Sequence, residues 1–175
     1  MSSSTLETQA QYLISSIELC FKNQFITPSL MLTYATIDIM AWLDRDKNHQ
    51  DVQPSDFIRW VETYLLPNSQ LSCTAIDLYA ARCSLIHSYS AESRLSREGR
   101  ASEIFYAWGT ADEQELQKLI DLEGSRDAKA IQVEKLLAAL KQGVEQFIAN
   151  VRHSQMVIDR AERFFAHMPG LKVEA

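Results

Sequence analysis

The stretch from Ser29 to Leu43 constrains the fold of this chain more than any other feature, because its only charged residue is Asp38. Just before it, Thr27 offers an N-cap and Pro28 suits the first position of a helix. A helix that is apolar on every side is usually buried. We therefore predict that this stretch is a central helix. Asp38 then requires a partner, because an unpaired buried charge is costly.

Apolar residues recur at helical spacing along most of the remaining chain. In the N-terminal segment, for example, Leu6, Ala10 and Ile14 fall on one face. The segment 88–110 is less regular: its polar part predicts a loop, and Ile104–Trp108 fits either a strand or a helical turn. The predicted helices cover residues 5–22, 29–43, 54–66, 111–122 and 128–168, and a further helix that begins at Ser72 or Thr74 and runs to residue 87.

The low content of glycine and proline, five and four residues among 175, favours long helices over a loop-rich or all-β fold. We predict one all-α domain over residues 1–175, an up-and-down bundle of five or six helices. The predicted helix 128–168 would span about 60 Å at about 1.5 Å per residue. Since that is long for a small domain, we expect either a bend near Asn150–Ser154 or an arm that packs on a second subunit.

The net charge of -6 predicts an acidic surface that does not attract nucleic acid as a whole. Nucleic acid would have to bind at a local basic patch, with an affinity that falls as salt rises. Cys20, Cys73 and Cys83 form no CxxC pair, which favours a reduced, cytoplasmic protein. The N-terminus has no signal-peptide pattern, and no apolar run reaches the roughly 20 residues of a membrane helix, so we expect no membrane association.

The segment from Asp77 to Ser88 contains the residues that point most directly to chemistry. It places His87 five positions after Arg82 near the end of an otherwise apolar helix. A histidine exchanges protons near neutral pH, and an arginine offers a fixed fork of donors to phosphate. Metal-free RNA cleavage needs a base for the 2′-OH proton, an acid for the leaving oxygen and a cation on the phosphate.

Three segments resemble a family of uncharacterised bacterial proteins, over roughly residues 27–165: WVETYLLP at 60–67, DLYAARCSLIH at 77–87 and YAWG at 106–109. Arg82 and His87 also resemble the RxxxxH motif of HEPN domains, small all-helical domains many of which cut RNA without a metal. The resemblance implies a HEPN-like bundle, a homodimer whose cleft joins two copies of the motif, and Arg82 and His87 as catalytic residues. A polar residue often follows the arginine in that group, whereas Cys83 follows it here.

A structural interpretation of Arg82 and His87 stands beside the catalytic one. Five positions on an ideal helix correspond to about 140° of rotation, so only fraying near His87 or a second subunit would bring the two side chains together. In the structural interpretation Arg82 forms a buried ion pair with Asp38, and His87 stabilises the carboxyl end of its helix. The protein is then a non-catalytic helical protein that dimerises or binds a protein partner.

Arg94, Arg97 and Arg100 follow the motif and are the best candidates for contacts to RNA phosphates, although Glu92 and Glu98 lie among them. A solvated loop is the simpler interpretation of this mixture of charges. No arrangement of histidines, cysteines and carboxylates is typical of a metal site, so we expect neither a metal nor a cofactor. The expected partners are a second copy of the chain, RNA, or a protein encoded nearby.

Overall fold

The computed structural model describes residues 5–67, 69–124 and 127–166, and these ranges are mostly helical. Within them, eight α-helices and two short β-strands follow one another along the chain. A π-helical stretch, Val61–Leu65, continues the third helix. The elements are α1 (Thr5–Lys22), α2 (Ile26–Asp44), α3 (Pro54–Trp60), α4 (Ala75–Ser88), α5 (Arg94–Arg97), β1 (Glu103–Ala107), α6 (Glu113–Glu123), β2 (Ala128–Gln132), α7 (Val133–Val151) and α8 (Gln155–Ala166).

Helix α2 lies in the core, as its composition predicts. Tyr34, Ile37 and Met40 are fully buried along it. Its buried hydroxyl groups have partners inside and outside the helix: Thr33 Oγ1 donates to the carbonyl of Ser29 at 2.8 Å, and Ser29 Oγ donates to the carbonyl of Ile17 in α1 at 3.2 Å. The predicted N-cap is wrong, because α2 begins at Ile26 after Phe25 and thus already includes Thr27.

A two-stranded parallel sheet corrects the expectation that the chain is purely helical. Strand β1 pairs with β2 in a register that runs from Glu103 opposite Ala128 to Ala107 opposite Gln132. Parallel strands need a crossover connection, and α6 provides it. Residues 128–132 were predicted to be the first turns of the last helix. They form a strand instead, and α7 begins at Val133 without an intervening turn.

One carboxylate, that of Asp77, joins the sheet to the start of α4. Its Oδ1 accepts a hydrogen bond from the backbone N–H of Ser102 at 2.8 Å, and its Oδ2 lies 2.9 Å from Lys129 Nζ. Oδ2 also accepts from the N–H of Thr74, which is the N-cap of α4. Burial would raise the pKa of Asp77, but these hydrogen bonds outweigh it and hold the pKa below its ordinary value.

The C-terminal apolar stripe is divided between two helices. The helix is interrupted at residues 152–154, inside the interval where the sequence predicts a bend. Helix α8 then packs against α1 and α2. Arg160 donates to the carbonyls of Leu43 and Arg45 at 2.9 and 2.7 Å, which satisfies the carboxyl end of α2. The last two residues of the predicted helix, 167 and 168, lie outside the described residues.

Among the described helices, α2 alone has the length and apolar composition of a membrane span, and half of that window is buried inside the protein. A core helix passes the same test, so this observation is weak support for a membrane span.

Gly143 lies where α7 packs closely against the π-helical stretch Val61–Leu65. A Cβ at this position would lie 2.9 Å from the carbonyl oxygen of Tyr64 and 3.3 Å from the Cα of Leu65. Alanine favours a helix more than glycine does, but the backbone atoms of Tyr64 and Leu65 can move aside only at a considerable cost in energy. We predict that Gly143→Ala lowers the free energy of unfolding by about 1–3 kcal/mol in urea denaturation. Gln142→Ala, at an exposed neighbouring position, is the control. Equal stability of both variants and the parent would contradict the packing.

The ionisation of Asp77 makes the free energy of unfolding depend on pH, so that the protein loses stability in acid. The folded-state pKa of Asp77 is depressed. Its contribution is therefore complete above the unfolded value of about 3.9 and is lost as the pH falls through the lower folded value. We predict that Asp77→Asn lowers the melting temperature at neutral pH and flattens its decrease in acid. Asp51→Asn changes an exposed aspartate and should follow the parent. A parallel pH profile for Asp77→Asn would refute this role.

Candidate functional site

Helices α2 and α4 are joined by an ion pair at the position of the predicted motif. Arg82 Nε lies 2.8 Å from Asp38 Oδ2. The pair was predicted to be buried, but it is only half-buried, with 23% of the Arg82 side chain and 22% of the Asp38 side chain exposed. Burial would lower the pKa of Arg82, yet Asp38 raises it above its ordinary value. Burial raises the pKa of Asp38, and Arg82 opposes that change.

The same guanidinium contacts the predicted histidine. Arg82 Nη1 lies 3.2 Å from His87 Nε2, and the His87 residue is exposed. Helix α4 continues to Ser88, so neither fraying nor a second subunit is needed for this contact. The argument from ideal helix rotation was therefore wrong about the side chains. The long arginine side chain crosses the angular gap that separates the two Cα positions.

The chemistry of the two groups assigns their roles in this hydrogen bond. A guanidinium has five N–H donors and no acceptor, so His87 Nε2 accepts the bond and carries no proton while it does so. An unprotonated imidazole nitrogen is the form that acts as a general base. The guanidinium, oriented by Asp38, keeps donors that these contacts do not use. Asp38, Arg82 and His87 therefore form a connected chain that ends at the protein surface.

A cleft of about 360 Å³ reaches α4 at Cys83, the residue that follows Arg82, although Asp38, Arg82 and His87 do not themselves line it. It lies between α3, α4 and α5, and Cys83 and Tyr79 form part of its wall. Burial and then contact with Cys83 raise the pKa of Tyr79. The sequence carried a signal for this wall, because Ile76, Tyr79 and Cys83 follow one another at steps of three and four residues and so share a helix face.

The three arginines that were predicted to bind phosphate differ in their position relative to the cleft. Arg94 and Arg100 line it, whereas Arg97 is not among its lining residues. Each of the three lies within 4 Å of a glutamate: Arg94 and Arg100 contact Glu98 at 3.7 and 3.3 Å, and Arg97 contacts Glu92 at 3.6 Å. These exposed pairs are weak, so an incoming phosphate can compete for the arginines.

A histidine–carboxylate contact elsewhere in the structure has a structural explanation. His49 Nδ1 lies 2.9 Å from Asp56 Oδ2, just before α3. The same Asp56 atom accepts the backbone N–H of Gln53, which is part of the capping box of that helix. Burial would raise the pKa of Asp56, but the Gln53 and His49 hydrogen bonds hold it below its ordinary value. This pair therefore stabilises a helix start.

Within the residues that the structure describes, no three histidine, cysteine or acidic side chains come together as ligands for a metal ion. Comparisons of the chain with models of protein families, with proteins of described function and with solved structures found no significant match. The interpretation of the site therefore depends on its own geometry.

The Asp38–Arg82 pair predicts a measurable loss of stability when one partner is removed. Asp38→Ala leaves a half-buried guanidinium without its carboxylate. We expect a loss of about 1–3 kcal/mol, between the values typical of exposed and of buried pairs. Glu18→Ala is the matched control, because its pair with Lys141 is about half exposed on both sides. Urea denaturation of both variants checks this, and equal losses would show that Asp38 has no special role.

Proposed function

We propose that this protein is a metal-independent ribonuclease of the HEPN type that acts on single-stranded RNA. The observation that carries the proposal is the contact of 3.2 Å between Arg82 Nη1 and His87 Nε2. It joins a phosphate-binding group and a proton-accepting group within one helix, and the histidine is exposed. Cys83, which follows Arg82, lines the cleft between α3, α4 and α5. The anchoring of Arg82 by Asp38 supports the proposal, because a guanidinium that is already oriented loses less freedom when it binds a phosphate.

The proposed reaction begins when an RNA phosphate binds the Arg82 guanidinium and draws it away from His87. Nε2 of His87 then accepts the proton of the adjacent 2′-OH, and the 2′-oxygen forms a bond to phosphorus. The bond from phosphorus to the 5′-oxygen breaks, and an acid returns a proton to that oxygen. The products are a 2′,3′-cyclic phosphate and a 5′-hydroxyl. Arg82 stabilises the charge that develops on the phosphoryl oxygens.

The acid in this scheme is a second, protonated His87, supplied by a homodimer. Each subunit carries one His87, whereas the reaction needs both a general base and a general acid. Arg94 and Arg100 are proposed to guide the flanking phosphates, because they line the cleft beside Cys83. The overall acidity of the chain requires such local contacts.

A second candidate follows from the Asp38–Arg82 ion pair itself. That pair accounts for Arg82 without any catalysis, and His87 lies in the last turn of α4, where a basic side chain stabilises the helix. Under this alternative the protein is a non-catalytic helical protein that dimerises or binds another protein. The two proposals differ in what happens when His87 is changed.

The proposal predicts cleavage of single-stranded RNA by purified protein in the presence of EDTA. His87→Ala should reduce the cleavage rate by at least about a hundredfold, the usual contribution of a general base or acid. Arg82→Lys should reduce it as well, because an ammonium group cannot reproduce the guanidinium fork. His153→Ala, which changes another exposed histidine, should cleave like the parent. Gel electrophoresis of labelled RNA, with thermal melting of each variant, makes the comparison.

The non-catalytic alternative gives a different pattern. It predicts no cleavage by the parent, a large loss of stability for Arg82→Ala and a near-silent His87→Ala. Full cleavage by His87→Ala would refute the proposed mechanism. A monomer in light scattering at tens of micromolar protein, if it still cleaves RNA, would exclude the homodimer as the source of the acid.

A further inference from the structure

A groove lies at the carboxyl end of α4. It has a volume of about 530 Å³, within the usual range of ligand sites. The residues just before α2 and the first turns of that helix form one wall, and β1 forms another. The α4 wall consists of Ala81, Ser84 and Leu85. Arg82 and His87 are not part of that wall, so the groove is distinct from the proposed catalytic pair.

Exposed aromatic side chains are concentrated at this groove. Within the described residues four aromatic side chains are strongly exposed, and three of them line it: Phe25 at 60%, Tyr89 at 70% and Trp108 at 43%. The fourth, Tyr12, lies elsewhere on α1. Large aromatic surfaces left in water around one cavity indicate a partner that covers them.

The ends of two helices form part of the same groove. Two non-glycine residues of the described chain have a positive φ, Gln24 at 63° and Tyr89 at 51°. Both line the groove. Each follows a helix, and Tyr89 is the left-handed C-cap of α4, a conformation that commonly ends a helix. The end of α4 thus presents Tyr89 at the groove.

The charge of the lining restricts the class of ligand. None of the residues that line the groove is charged. An anionic phosphate or a charged peptide would find no counterion there. A neutral, planar, aromatic ring would instead stack on the exposed side chains, and Gln24 and Thr27 offer polar groups to its edge.

We propose that this groove binds an unpaired nucleobase of single-stranded RNA, stacked on Trp108 and Tyr89. The assignment of RNA as the ligand rests on the proposed function. The Cα atoms of His87 and Tyr89 are two residues apart and so at most about 7.6 Å from each other. In the proposed complex, an RNA strand passes over the end of α4 with a phosphate at Arg82 and His87 and a neighbouring base in the groove.

Tryptophan fluorescence tests the proposal in a chain that does not cut the ligand. Trp60 is fully buried and Trp42 is partly buried between Arg45 and Phe164, which leaves Trp108 as the exposed tryptophan. The His87→Ala protein is titrated with a short single-stranded RNA and with an oligonucleotide that has the same phosphates but no bases. We expect quenching by the RNA only. Adding Trp108→Leu should remove the quenching, and in anisotropy titrations it should weaken RNA binding at least about fivefold.

Further variants separate stacking from a general loss of apolar surface. Tyr89→Leu in the same background should weaken RNA binding, and Tyr12→Leu, at an equally exposed tyrosine away from the groove, should not. Equal binding of the two oligonucleotides, or unchanged RNA binding after Trp108→Leu, would overturn the nucleobase site. The ribonuclease proposal can fail while the nucleobase site is correct. In that case the parent protein binds RNA bases in the groove but does not cut the RNA.

Discussion

The contact between Asp38 and Arg82 is the constraint on which the rest of this account depends. It places a carboxylate from the central helix α2 against a guanidinium from α4 at 2.8 Å, and the same guanidinium reaches His87. A charge in so apolar a helix would be costly without this partner. The interaction thus has a structural role in joining two helices and orients the group that is proposed to bind phosphate.

The sequence predicted those parts of the fold in which one strong local signal dominates. The burial of α2 follows from its apolar composition, and Thr74 was one of two capping residues, with Ser72, that could start α4. The interruption after Val151 was expected because an unbroken helix would be too long for a small domain. The strand β2 could not be predicted in the same way. Its five residues lead directly into α7 without a turn, and its pairing with β1 depends on the distant crossover by α6. Non-local pairing of this kind leaves little trace in a single sequence.

The candidate site shows the same division between local and non-local information. Asp38, Arg82 and His87 could be selected from residue type and spacing, and the Asp38–Arg82 pair could be anticipated from the cost of a buried charge. The Arg82–His87 contact could not, because it depends on the extension of one long side chain. The pairing of Arg94 and Arg100 with Glu98 is local, between residues four and two positions apart, and the sequence already shows Glu98 among the arginines. The grouping of Phe25, Tyr89 and Trp108 at one groove arises from tertiary structure.

The most direct test of the account is the protonation pattern of His87, observed by nitrogen-15 NMR at alkaline pH. The geometry predicts that Nδ1 carries the proton and that Nε2 is the acceptor of an Arg82 hydrogen bond. Arg82→Lys should shift the Nε2 resonance, while the matched change Arg152→Lys, at the C-cap of α7, should not. A His87 protonated at Nε2, or a ring whose signals do not respond to Arg82→Lys, would contradict the claim that Arg82 and His87 form one site.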